Sequence, residues 1–140
     1  MASSPVASIG LHPLHALLLA VPVGFFPAAL AADVTYLNTA EMQWSNFASW
    51  AITGALLFGG PALAWSLLAA IGGRWRARWV VALLLGIAWV AGLVNAFHHS
   101  RDAWSSVGAV GLLLSIISTV AVLAAGWIAF AGVRTGGRAR

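Results

Sequence analysis

The sequence predicts an all-α integral membrane protein, a four-helix bundle with both termini on the cytoplasmic side. Three observations carry this. The chain is 61% hydrophobic and only 7% charged, against about 25% charged in a soluble domain. Its apolar residues fall into four long runs separated by short polar connections. Six of the seven arginines, at 74, 76, 78, 134, 138 and 140, lie in the second connection and the tail, which four spans place on one face. Asp33, Glu41 and Asp102 all fall on the other face. The positive-inside rule makes the arginine face cytoplasmic, and Trp44, Trp104, Trp75 and Trp79 sit where interfacial indoles belong. The expected location is the inner membrane of a bacterium.

Residues 1–140 read as one domain, with helices at about 14–32, 40–71, 79–98 and 105–133. Residues 1–11 are small and uncharged. The run Ala16–Ala32 resembles a secretory signal, since Ala29-Leu30-Ala31 suits cleavage. Nothing basic precedes it, however, so a retained helix is expected. Pro22 and Pro27 loosen it. Asp33–Trp44 reads as a polar connection, and Asn38-Thr39-Ala40-Glu41 as a capping box that starts helix two. Gly59-Gly60-Pro61 should kink helix two in mid-membrane. Gly72–Arg78 is a tight basic turn. Trp79–Phe97 spans about 28 Å at the helical rise, enough for the hydrocarbon core. Helix four exceeds the core thickness and should tilt. Gly111, Ser115 and Thr119 on helix four, and Ala82 and Gly86 on helix three, form small-residue rows that let helix backbones approach, within one chain or between copies in an oligomer.

Composition removes several classes of function. There is no cysteine, hence no disulfide, thiolate nucleophile or covalently attached c-type haem. The net +4 comes from membrane-flanking arginines rather than a basic face interleaved with aromatics, so no nucleic-acid partner is expected. No serine nucleophile, phosphate-cradling glycine loop or carboxylate pair has a base in reach. No catalytic residue is assigned, and an enzyme acting alone is not expected.

The polar stretch Asn95–Trp104 lies between two apolar runs, where polar groups are costly to keep. The outer-face site is therefore placed at Asn95, His98, His99, Arg101 and Asp102, with Asp33 and Glu41 opposite. His98 with Asp102, and Asn95 with His99, are four apart and share a helical face. Such a set suits a divalent metal. The favoured alternative is that Asp102 orients a histidine or caps helix four, because no metal-specific spacing such as His-Glu-x-x-His is present. A haem b needs two ligands at one depth on facing helices, whereas the histidine pairs His12/His15 and His98/His99 lie at opposite membrane faces. At the inner face, His12, His15 and Arg74 form a candidate site for a lipid phosphate or a quinone head group. The plainer reading makes the two histidines interfacial residues reaching toward water.

His12-Pro13-Leu14-His15, Asp33-Val34-Thr35-Tyr36-Leu37 and Trp44 with Trp50 resemble a bacterial membrane family known as a domain of unknown function, number twenty-two thirty-one in that series. So do Asn95, His99-Ser100-Arg101-Asp102 and Trp104, and the closing Gly126-Trp127 and Gly132-Val133. The resemblance implies a compact four-helix inner-membrane module found beside periplasmic redox domains, including sorbosone-type dehydrogenases and Rieske-type iron–sulfur domains. This chain departs from many relatives at Gly72-Gly73-Arg74-Trp75-Arg76, where their turn is more acidic or glycine-rich. The functional expectation is a non-catalytic anchor or electron-entry subunit for a periplasmic dehydrogenase. The alternative is a small transporter or channel, which would need charges along a path through the bilayer. None of the acids or arginines is expected at mid-span.

Overall fold

The computed structural model describes residues 11–73, 76–100 and 107–135. They form four helices, α1 (Pro13–Thr39), α2 (Met42–Ile71), α3 (Arg76–His99) and α4 (Ala109–Thr135). All four are long and apolar enough to cross a membrane. Each packs on its neighbour in sequence, and α1 against α4 closes the ring. The result is an up-and-down bundle of the kind short connections favour.

The packing follows one simple repeat. The core face of α1 carries His15, Leu19, Pro22, Phe26, Ala29 and Asp33, alternating steps of four and three residues. Buried Ser45, Ala48, Ile52, Ala55, Gly59, Ala62 and Ser66 continue it on α2. On α3 it runs through Val81, Leu85, Ala88, Gly92 and Asn95, and on α4 through Ser115, Ser118, Val122, Ala125 and Ala129. This is the seam of a coiled-coil-like bundle. The seam is filled largely by alanine, while Leu17, Trp50, Leu57, Leu68, Leu83 and Trp127 face outward. In lipid, burying leucine rather than exposing it gains little, so small residues that allow close backbone contact win the interior.

Two expectations about the first connection are corrected. Helix α1 does not stop at Ala32 but runs to Thr39, and Asn38 is not an N-cap. Asn38 Nδ2 donates to Val34 O at 2.7 Å, while Thr35 and Thr39 bond the carbonyls of Ala31 and Thr35. Polar side chains that bond back one turn let a helix continue past the hydrocarbon. The stop comes at Ala40, whose left-handed backbone (φ 56°) lets its N–H reach Tyr36 O. Glu41 is the N-cap residue of α2, without a side-chain cap bond.

Pro22, Pro27 and Pro61 lie inside unbroken helices, so the Gly59-Gly60-Pro61 step does not interrupt α2. Pro61 leaves the Leu57 carbonyl without its helical amide. Beside it, Trp89 Nε1 of α3 donates to Leu56 O at 3.1 Å. That bond ties α3 to α2 one residue before the freed carbonyl.

Candidate functional site

Asp33 is the centre of the polar structure at the acidic end. It is fully buried and stands about 9 Å inside the end of α1 by the helical rise. Placing it in a loop, outside any span, is therefore corrected. His99 Nε2 lies 2.8 Å from Asp33 Oδ1, and the His99 side chain is only 1% exposed. Ser115 Oγ donates to Asp33 Oδ2 in a short hydrogen bond. Asn95 Nδ2 donates to Ser115 Oγ at 2.7 Å. The carboxylate joins α1 to α3 and α4 at once.

The geometry fixes how many protons the pair holds. His99 Nδ1 faces the Asn95 carbonyl at 3.0 Å, and a carbonyl can only accept, so Nδ1 carries a proton. Nε2 faces a carboxyl oxygen, and that bond needs one more proton between them. Whichever atom holds it, the His99–Asp33 pair is neutral overall. A net-neutral, hydrogen-bonded pair is the form in which these groups can be buried in a bilayer. Both ring nitrogens and both carboxyl oxygens are engaged.

The structure brings some of the residues expected at the outer face together and leaves others apart. Asn95, His99 and Asp33 come together, and Ser115, read only as a small packing residue, completes the network. The His98 side chain makes no hydrogen bond among the described residues, and Glu41 is exposed and unbonded to the cluster. Arg101 and Asp102 lie outside the described residues, so the idea that Asp102 orients a histidine is not addressed. For His99 the orienting carboxylate is Asp33.

Two buried oxygens, Asn95 Oδ1 and Thr119 Oγ1, have no partner among the described residues. An unpaired buried hydroxyl costs about 1–3 kcal/mol. Thr119→Val should therefore leave thermal stability unchanged or raise it, whereas Ser115→Val should lower it. A thermal-shift measurement on both variants in detergent separates the idle hydroxyl from the working one.

At the arginine end, Pro13 takes the first helical position and His12 caps it, its Nδ1 accepting from Leu14 N at 3.2 Å. His15 does not reach toward water. It is buried, with Nε2 3.2 Å from Ala62 O and 3.0 Å from Ser66 Oγ of α2. Trp65 stacks on His15 (5.6 Å, 8°) and lies 5.2 Å from the His12 ring. Arg78 Nη1 donates to Ala69 O at 3.1 Å, at the end of α2. Between them is a cavity of about 250 Å³ lined by Leu11, His12, His15, Trp65, Arg78, Val81 and Ile128 among others. Arg74, the expected partner of the histidines, lies outside the described residues. Arg78 lines the cavity with them.

Among the described residues neither end gathers the ligands that the cofactors considered from sequence would need. Among the described residues no three His, Cys, Asp or Glu side chains converge as metal ligands. A haem would need free imidazole nitrogens at one depth. His99 has none free, and His15 lies about 27 Å from Asp33 along α1 by the helical rise.

Four helices long and apolar enough to cross a bilayer define a polytopic membrane protein. The chain belongs to the family described as predicted membrane protein (DUF2231), whose model matches residues 11–128. Comparison with curated proteins and with solved structures finds no match.

Proposed function

We propose that this protein is a non-catalytic module of the bacterial inner membrane, with both termini cytoplasmic, that anchors a periplasmic partner at its acidic end. The observation that carries this reading is the closed state of the buried network. Asp33, His99 and Ser115 bond to one another, so within this network every ring nitrogen and carboxyl oxygen is engaged. Between this network and His15 the interior is mainly apolar, built of Leu19, Phe26, Leu85, Ala88, Val122 and Ala125, with Ser118 and Thr119 of α4 as buried hydroxyls near the network. A solute path would need polar groups along that length, so a transporter is the less favoured reading, although Asp33 lies within a span. Of the two limbs of the partner idea, anchoring is retained. Electron entry would need a carrier between the two ends, and the two buried histidines, His15 and His99, are committed to structural bonds.

The test is co-purification. The protein, extracted in mild detergent from its native membrane, should bring down a periplasmic-domain protein in stoichiometric amount. Substitutions at exposed acidic-end positions such as Glu41 should weaken that association while leaving the melting temperature unchanged. A protein that always purifies alone, yet moves a solute in proteoliposomes, would reverse the assignment.

A further inference from the structure

We propose that the cavity at the arginine end binds the phosphate group of an anionic phospholipid. All four helices contribute to its wall, through His12 and His15 (α1), Trp65 (α2), Arg78 (α3) and Ile128 (α4). It holds about 250 Å³, room for a head-group phosphate with its nearest glycerol carbons.

Its donors are turned to an anion. Arg78 makes one hydrogen bond, through Nη1 to Ala69 O, and a guanidinium carries five N–H donors. His12 accepts at Nδ1 from Leu14 N, so its neutral ring carries the proton on Nε2 as a further donor. His15 Nε2 and Ser66 hold each other and the Ala62 carbonyl, which fixes the Trp65–His15 stack as a rigid wall. Among the described residues no carboxylate answers the guanidinium. Asp33 is about 27 Å from His15 along α1 by the helical rise, and Glu41 stands at the opposite end, before the start of α2. A half-buried cation without a counter-ion among the described residues selects an anion over a neutral ligand such as a quinone carbonyl, and guanidinium geometry favours phosphate.

The surroundings select lipid over free phosphate. Leu11, Val81 and Ile128 are apolar and would face the glycerol and first acyl carbons rather than water. The cavity also lies where α1 and α3 begin and α2 ends, at the level of the head groups. The plainer role for Arg78, capping the end of α2, uses a single donor and leaves the cavity unexplained.

The experiment is native mass spectrometry of the full chain released from micelles with equal mole fractions of phosphatidylglycerol and phosphatidylcholine. Retention of one phosphatidylglycerol is expected at about tenfold preference, the scale of a charge-assisted hydrogen bond. Arg78→Gln should abolish the preference and Arg78→Lys should keep most of it. Ala129 also lines the cavity, and Ala129→Leu, which narrows it and leaves the guanidinium in place, should also abolish the preference. The melting temperature in lipid-free detergent is the control for folding. If Arg78→Gln fails to fold, Ala129→Leu decides. Equal retention of the two lipids overturns the proposal, as does a preference that survives Arg78→Gln or Ala129→Leu in folded protein. Displacement of the lipid by millimolar inorganic phosphate would reassign the site to a soluble anion. Displacement by a short-chain quinone would reassign it to a neutral head group. Either result overturns the lipid assignment. Co-purification at the acidic end reads the anchoring role separately, so the two proposals fail independently.

Discussion

Asp33→Ala should destabilise the bundle by about 3 kcal/mol, the lower end of the cost of removing one member of a buried pair. It strips His99 Nε2 and Ser115 Oγ of their acceptor or donor together. Ordinary side-chain hydrogen bonds between membrane helices average only about 0.6 kcal/mol, so a loss of this size separates a central polar pair from incidental ones. Asp33→Asn makes the opposite prediction. Its amide can donate to neutral His99 Nε2 while its carbonyl accepts from Ser115, preserving every bond and the neutral charge. The loss should stay under about 1 kcal/mol. The double variant Asp33→Ala with His99→Ala should be less destabilised than the sum of the single variants, with a coupling of roughly 1 kcal/mol or more. Denaturant titration in mixed micelles reads all of these. Additive losses, or an Asn as damaging as an Ala, would show that the network is not organised as described.

Gly92→Ala should cost about 1–3 kcal/mol through overpacking. A Cβ there would fall 2.5 Å from Phe26 Cε1, with Leu56 Cδ2 at 3.4 Å. Phe26 is 3% exposed, a core side chain of α1 reaching across the bundle to α3, so its ring cannot swing clear. Gly54→Ala offers a matched control. Its Cβ would stand equally close, 2.5 Å from Phe25 Cε2, but Phe25 is 43% exposed and can rotate into lipid. That change should stay within about 0.5 kcal/mol. Pairing Gly92→Ala with Phe26→Leu should recover part of the loss, read as a rise in melting temperature over the single variant.

The four spans were legible in the sequence because apolar length and low charge carry that signal without any knowledge of packing. The position of Asp33 was not. Read as a charge, it ends a hydrophobic run, and the Thr and Asn residues after it look like a loop. Read by phase, it continues the steps of four and three from His15 through Leu19, Pro22, Phe26 and Ala29. The same phase carries Asn95 on α3, Ser66 on α2 and Ser115 on α4. Polar residues on a bundle's seam must meet one another, and following the seam would have joined Asp33 to Asn95 and Ser115. Hydrophobicity alone hid it, because a seam filled with alanine beside leucine-covered outer faces gives almost no amphipathic contrast. His15 was misread for the related reason that histidine near a helix start suggests water. Its partner Ser66 lies 51 residues away, on another helix, and no local pattern announces it.

Orientation governs the anchoring proposal, and the absence of cysteine makes it directly measurable. Leu37, 48% exposed at the end of α1, should be labelled as Leu37→Cys by a membrane-impermeant maleimide added to intact spheroplasts. Gly137→Cys, in the tail, should react only after permeabilisation. Labelling of Gly137→Cys in intact spheroplasts, with Leu37→Cys protected, would contradict the topology and remove the acidic end as a periplasmic docking face.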